Sequence, residues 1–201
     1  MGSVTVGRGT QGVRQSDEEL IAAFQAGDVA PFNEIVKRYK DPLTNFVFRF
    51  TGDWDECNDI VQETFVRVYR NKHSYKPVAR FSTWIYTIAT NLAKTSLRRK
   101  KVRKMLSFSG SDRDESPREL ELADPSAQTD RLVDSSMKEE RIQNALEALP
   151  VKYREIIVLR EIQELSYEEI AGITGLNIGT VKSRINRARL QLQEMLKDIM
   201  G

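Results

Sequence analysis

The residues most able to do chemistry lie near the C-terminal end, in Leu165 to Leu192, LSYEEIAGITGLNIGTVKSRINRARLQL. Ser166-x-x-Glu169 is a capping box, in which a serine side chain takes the amide three residues on and the glutamate returns the bond. It opens a short helix with Ile170 and Ile173 inward, ended by Gly175. Asn177 can cap a second helix. A short helix, a glycine-containing turn and a second helix make a helix-turn-helix. From Leu176 to Gln193 there are four cations, Lys182, Arg184, Arg187 and Arg189, and no acid. The solvent face offers Lys182, Ser183, Asn186, Arg187 and Arg189, and the N-terminus at Gly179 and Thr180 suits a phosphate. A major groove admits one helix whose side chains reach base edges, so the chemistry is duplex DNA recognition. A helical hairpin with a solvated basic face is the bland alternative.

A second set is Phe81 to Lys104, FSTWIYTIATNLAKTSLRRKKVRK. Arg80 to Lys104 carries eight cations and no acid. Aromatic rings among cations can hold a single strand, the rings stacking on bases and the cations tracking the backbone. Trp84, Ile85 and Ile88 fit a core equally well. Tyr86, Asn91 and the basic residues Lys94, Arg98 and Arg99 are the better ligand candidates.

A third set is acidic: Asp53, Asp55, Glu56, Asp59 and Glu63. Asp55/Asp59 and Asp59/Glu63 are i, i+4 pairs and share a helix face. A solvated face, a docking surface for a basic partner and a divalent-cation site all fit, the cation least well.

The elements that position these groups are helices. No stretch alternates apolar and polar residues long enough for a strand, so the chain is expected to be all-α. Residues 1–15 are glycine-rich and read as a disordered tail. Ser16-x-x-Glu19 starts a helix with Leu20, Ile21 and Phe24 on one face, stopped near Gly27. Pro31 suits a first turn, followed by Phe32, Ile35, Val36 and Tyr39. Asp41-Pro42 signals a further start, with Leu43, Phe46, Val47 and Phe50 inward and Gly52 closing the helix. Helices are expected over 55–70 and 82–104, joined by a loop at 71–80. Residues 105–135 carry Pro117, Pro125 and a strong acidic excess, and read as a flexible linker. A second domain is expected over 136–200. It opens at the capping box Ser136-x-x-Glu139, with Ile142, Ala145, Leu146 and Leu149 inward. Pro150 starts the next helix, with Tyr153, Ile156 and Ile157 inward. In the last helix Ile178, Val181, Ile185, Ala188, Leu192, Met195 and Ile199 form a narrow seam.

Composition excludes other classes. The chain has 201 residues, 31 Lys+Arg against 29 Asp+Glu, one His and one Cys. A single Cys permits no disulfide framework and no Cys-cluster metal site. A single His, His73, excludes a His-ligated zinc site. Cys57 and His73 read as a packing residue and a solvated loop residue. No apolar run approaches the roughly 20 residues of a membrane span, and the N-terminus lacks a signal peptide's apolar core. The expectation is a cytoplasmic protein without cofactor or metal, touching a membrane only through a partner.

Three motifs in order, Asp59-Ile-Val-Gln-Glu-Thr-Phe65, Phe81-Ser-Thr-Trp-Ile-Tyr-Thr-Ile-Ala-Thr-Asn91, and Leu165-Ser-Tyr-Glu-Glu-Ile-Ala171 with Gly179-Thr-Val-Lys-Ser-Arg-Ile185, resemble the extracytoplasmic-function, or group 4, bacterial sigma factors. The resemblance spans about 16–104 and 137–197 of the chain. It implies a sigma domain two of four to five helices over 16–104 and a sigma domain four of four helices over 136–200. It assigns Asp59, Gln62 and Glu63 to the clamp of core RNA polymerase, and so favours docking over metal. It makes 71–80, with Ser74, Tyr75 and Lys76, the loop that receives a base flipped from the −10 element. Asn91 would help line that pocket, with Tyr86, Lys94, Arg98 and Arg99 beside it. Extracting one base costs a few kcal/mol, offset inside the pocket. The helix-turn-helix, through Gly179, Thr180, Lys182, Ser183, Asn186 and Arg187, would read the −35 element. An anti-sigma factor is the implied regulator. Many members carry Asp where this chain has Thr95, which implies an altered base preference.

Two other readings stand beside this one. An ordinary duplex-binding regulator would use only the helix-turn-helix and leave two motifs idle. A metal-dependent nuclease would need a nucleophile or general base, and no such constellation is visible. Replacing Lys182 and Arg187 by Ala is expected to abolish transcription from promoters that depend on the upstream element; unchanged transcript yield would overturn the recognition-helix assignment.

Overall fold

The computed structural model describes residues 15–108 and 130–197. The expected tail over 1–14 and the centre of the expected linker, 109–129, lie outside the described residues. Among the described residues every regular element is helical.

The first domain is a bundle of four helices. Helix α1 (Asp17–Gln25) begins at the anticipated capping box, with Glu19 N–H donating to Ser16 Oγ at 3.2 Å and Ser16 N–H to Glu19 Oε2 at 2.7 Å. Helix α2 runs unbroken over Ala30–Thr51 and contains Pro42. The start expected at Asp41-Pro42 is therefore not a start. An interior proline costs about 3 kcal/mol. Here it is exposed, and the apolar stripe Ile35, Tyr39, Leu43, Phe46, Val47 and Phe50 is buried on both sides of it. Each such side chain gains about 1.5–3 kcal/mol on burial, so the continuous stripe wins. Gly52, at φ 72°, ends the helix in the left-handed region. Helix α3 (Trp54–Arg70) is capped by Asp53, whose Oδ1 accepts from the amides of Asp55 and Glu56 at 3.1 and 3.2 Å. A 3₁₀ turn over Lys72–Ser74 leads to α4 (Phe81–Phe108), which continues past the expected end at Lys104.

The second domain starts earlier than its capping signal. Helix α5 spans Asp130–Ala148, so Ser136 lies inside it, and Ile142, expected inward, is exposed while Gln143 is buried. Helix α6 (Val151–Ile157) continues into a π-helical turn over Val158–Ile162. Helices α7 (Tyr167–Thr174) and α8 (Ile178–Met195) follow. In α8 Val181, Ile185 and Ala188 are buried, but Ile178 and Met195 are exposed, so the inward seam covers only the middle turns. Ile199 lies outside the described residues.

The two domains share one buried cluster. In the first it is built on Phe24, Phe46, Phe50, Phe81 and Ile85; in the second on Ile156, Ile157, Ile170 and Ile185. Rings order the first part: Phe46 meets Tyr86 edge-on at 5.4 Å, and Tyr39 meets Phe81 likewise at 5.5 Å. The Tyr39 hydroxyl donates to Asp17 at 2.6 Å, and burial followed by that carboxylate pushes its pKa up. Cys57 is buried with its thiol donating to the Thr44 carbonyl, and burial raises it too. Phe46→Ala is expected to lower stability by about 3–5 kcal/mol, read as a drop in the urea midpoint; a shift under about 1 kcal/mol would contradict the packing described.

Candidate functional site

The recognition half is built by caps. Ser166 and Glu169 form the reciprocal box that starts α7, at 3.2 and 2.8 Å, and Gly175 at φ 70° turns the chain. Asn177 Oδ1 accepts the Thr180 amide at 2.8 Å and starts α8. Burying Val181, Ile185 and Ala188 turns the opposite face outward. Gly179, Lys182, Ser183, Asn186 and Arg187 are exposed there and Thr180 is half-buried, so all six −35 candidates lie along one side of the helix.

Packing sorts the cations of α8. Arg189 Nε and Nη2 both donate to Glu161 Oε1, at 3.0 and 2.6 Å, so this residue is tied sideways to the π-helical turn. Arg187 beside the Tyr153 hydroxyl lowers that phenol below the usual tyrosine range. Lys182 Nζ lies 5.8 Å from the centre of the Tyr167 ring, whose other neighbour, Arg160, is at 4.9 Å.

The acidic run of α3 divides into two faces. Asp53 receives Lys100 Nζ at 3.0 Å, and that bond leads the lowering of its pKa. Glu56 receives Arg103 at 3.3 Å and the Ser96 hydroxyl. Both therefore bind the first helix turn to α4. Asp55, Asp59 and Gln62 face solvent, and Glu63 pairs along the helix with Arg67 at 2.8 Å. Among the described residues, no three of His, Cys, Asp and Glu gather closely enough to hold a metal ion.

Asn91 is exposed on α4, and the fold brings it beside the α3 acids. A groove of about 430 Å³ is lined by Asp59, Ile60, Glu63, Arg67, Asn91, Leu92, Thr95, Ser96 and Arg99. Thr95 donates its hydroxyl to the Asn91 carbonyl at 2.8 Å and accepts from Arg98 at 3.3 Å. Arg98 and Arg99 are exposed.

The other −10 candidates are placed differently. Ser74 and Lys76 are exposed, whereas Tyr75 is buried, its ring 5.6 Å from Phe81 and 5.5 Å from Trp84, with its hydroxyl on the Ala79 carbonyl at 2.9 Å. A buried aromatic supplies core area and still needs a partner for its hydroxyl. Tyr86 is buried as well, and its hydroxyl donates to Gln163 of the second domain. Lys94 stands 2.7 Å from Glu155.

Sequence reasoning missed four residues that hold these parts. Gln25 Nε2 donates to the carbonyls of Lys72 and Tyr75 at 2.6 and 3.1 Å, and Lys72 Nζ donates to the Phe24 carbonyl at 2.6 Å, which fixes the 71–80 loop to α1. Arg154 and Glu155 are buried in α6. A signal existed: two charges sit inside the run YREIIVL, where every residue from Tyr153 to Leu159 is buried.

Comparison with known proteins places this architecture. Residues 35–103 match Sigma-70 region 2, and residues 139–192 match Sigma-70, region 4. The ECF RNA polymerase sigma factor SigW of Bacillus subtilis is 36% identical over 182 residues, covering 90% of this chain and 97% of that protein. The chain belongs to the ECF sigma factors. It is an alternative sigma factor, a subunit of transcription initiation. The ECF RNA polymerase sigma-E factor of Escherichia coli K12 is 33% identical over 189 residues, covering 92% of this chain and 96% of that one. Among solved structures, the sigma factor RpoE of Bartonella quintana, in complex with the anti-sigma factor NepR, aligns with a TM-score of 0.63 at 26% identity, over 83% of this chain and 96% of that one. CnrH, in complex with the cytosolic domain of CnrY, shares the fold with a TM-score of 0.69 at 24% identity, over 92% and 99% of the two chains.

In this ECF sigma factor the Asn177 cap sets where α8 begins. Asn177→Ala is expected to cost about 1 kcal/mol and to weaken duplex binding by fraying the helix start, read by thermal unfolding and fluorescence anisotropy. An unchanged melting temperature would show that the cap carries no weight.

Proposed function

We propose that this sigma factor seats on core RNA polymerase through Asp59, Gln62 and Glu63 of α3 and reads promoter DNA through two separate surfaces. The observation that carries the reading is the pairing on one chain of an outward carboxylate face on α3 with an outward basic face on α8. The first suits a basic protein partner. The second suits a polyanion. Lys182, Ser183, Asn186 and Arg187, with the α8 N-terminus at Gly179 and Thr180, take the −35 duplex.

The −10 element, as a single strand, runs along α4 at Asn91, Arg98 and Arg99 and meets Ser74 and Lys76 of the 71–80 loop, leaving the α3 wall of the groove, Asp59 and Glu63, to the polymerase. Tyr86 and Lys94 join it once the second domain moves away. Tyr75 acts from the core, holding the shape of the 71–80 loop. Two modest sites on one scaffold gain affinity through effective concentration. The chain has no catalytic chemistry of its own and works in the cytoplasm. No described helix is long and apolar enough to cross a membrane. Because the Bartonella quintana relative is seen with an anti-sigma factor, a partner of that kind is the proposed regulator here, and it could hold this chain at the inner membrane.

The test is run-off transcription with bacterial core polymerase on the DNA upstream of the chain's own gene. A discrete transcript that needs both core and this chain is expected. Reversing Asp59 and Glu63 to Lys is expected to lower core affinity at least about tenfold with the circular dichroism spectrum unchanged. Wild-type affinity for core in that double variant would overturn the docking face. Neither transcript nor core binding by the wild type would favour a duplex-binding regulator.

A further inference from the structure

Both ends of α1 reach across the first domain to the 71–80 loop. At the C-terminal end Gln25 Nε2 donates to two loop carbonyls, that of Lys72 at 2.6 Å and that of Tyr75 at 3.1 Å. Lys72 returns the contact: its Nζ donates to the Phe24 carbonyl at 2.6 Å and lies 4.2 Å from the centre of the Phe24 ring. The last turn of α1 carries no basic residue of its own, so this ammonium supplies the charge that a helix C-terminus favours. At the N-terminal end Glu18 Oε1 accepts the amide of Phe81, 63 residues away, at 3.0 Å. The first turn of α4 has no acid of its own, and a carboxylate is favoured at that end of a helix. Glu18 and Gln25 stand seven residues apart on one helix, a rise of about 10 Å. Helix α1 therefore sets the distance between the loop's entry and its exit.

The loop's own bonds complete the frame. Ser74 N–H donates to the Asn71 carbonyl at 2.8 Å and Tyr75 N–H to the Lys72 carbonyl at 3.3 Å, while the Tyr75 hydroxyl crosses the loop to the Ala79 carbonyl at 2.9 Å. The segment contains no glycine, and the ring of Pro77 restricts its backbone further. With Tyr75 buried, Ser74, Lys76 and Val78 are exposed, Val78 at 92%. Of the loop's two lysines, Lys72 is thus held by α1 and Lys76 faces solvent. Fixing a chain segment costs conformational entropy, and a loop already fixed does not lose it again when a ligand arrives.

We propose that α1 is the mount of the −10 loop: Gln25 and Glu18 are positioning residues that hold residues 71–80 in the strand-receiving shape before DNA arrives, without touching DNA themselves. This rests on the −10 assignment above. Tyr75 holds the centre of the loop, and α1 fixes its two ends. Losing Gln25 releases the loop's entry but leaves the bundle standing, because Leu20, Ile21 and Phe24 of α1 remain buried in it. Promoter opening then depends on a helix that lies outside all three sequence motifs. A loop that took shape only on the strand would be indifferent to Gln25.

The experiment uses the full chain and two variants, Gln25→Ala, which removes both donors, and Gln25→Glu, which keeps the length and sets acceptors against the two carbonyls. Circular dichroism melts establish that each variant folds. Hydrogen exchange, read by mass spectrometry on peptides covering 71–80, is expected to run about tenfold faster in both variants, the shift that two modest hydrogen bonds amount to. With core polymerase, on a promoter that the wild type opens, permanganate footprinting should show opening slowed about tenfold, with core affinity and −35 duplex binding unchanged. An abasic scan of the −10 element supplies the readout that a general loss of stability would not move. In the wild type one position carries a large cost. In Gln25→Ala that cost shrinks, because residue and base act through the same loop and their effects do not add. Exchange or opening at the wild-type rate in both variants would overturn the mount. Slower opening with the abasic cost intact would overturn the positioning role. A wild type in which no abasic position matters would overturn the −10 assignment and the proposal with it, while faster exchange in the variants would stand as a property of the loop alone.

Discussion

Helix α4 is the constraint on which the rest depends. Its buried positions Phe81, Ile85, Ala89 and Ala93 recur every four residues and pack into the cluster made by α2 and α3. The two alanines let α4 lie close, and the remaining circumference is left for polar work. One flank receives α7 at Gly172, another carries Asn91 beside α3, and the basic end extends beyond the bundle. Beside that stripe Thr83, Tyr86 and Thr90 are buried as well, and the helix serves several partners because each takes a different sector of its surface. Moving any inward residue of α4 by one position would rotate all of those sectors together.

The distribution of charge follows from the same geometry. On α4, Lys94, Lys100 and Arg103 pair with Glu155, Asp53 and Glu56, whereas Arg98 and Arg99 are exposed at the helix surface. On α8, Arg189 is held by Glu161 while Lys182 and Arg187 lie near aromatic rings. The exposed pairs contribute little stability, about 0–1 kcal/mol each. Their consequence is positional: they fix which cations stay available to a polyanion. A basic run in a sequence therefore overstates the cations that one ligand can meet.

The helix-turn-helix was legible residue by residue because its determinants are local. A capping box at Ser166, a left-handed glycine at Gly175 and an asparagine cap at Asn177 each act within three or four residues. The outward face of α8 then follows from the 3.6-residue period. The α3 face was legible for the same reason, through its i, i+4 carboxylates. The start expected at Pro42 was not a start, because a local breaker was outweighed by burial on both sides of it. The capping box at Ser136 misplaced the start of α5, since a favourable cap sequence does not end a helix already running from Asp130. Tyr75 and Tyr86 looked like ligands for a base, yet Tyr75 lies in the core and Tyr86 lies between Phe46 and Gln163 of the second domain. Ring chemistry is the same in either place, so nothing local distinguishes them.

The sequence by itself determined the all-helical fold, the caps at Ser16, Ser166 and Asn177 and the outward faces of α3 and α8, because each depends on spacing along one helix. Only the tertiary structure decided the rest. It brought Asn91 against the α3 acids, set Arg154 between the ends of α2 and α5, and placed Glu155 on Lys94. The partners that join separate helices of the two domains lie far apart in the chain, as with Arg154 against Phe50 and Glu155 against Lys94. No periodicity encodes such a pairing. It exists only once two apolar faces have met and fixed the charged groups around them.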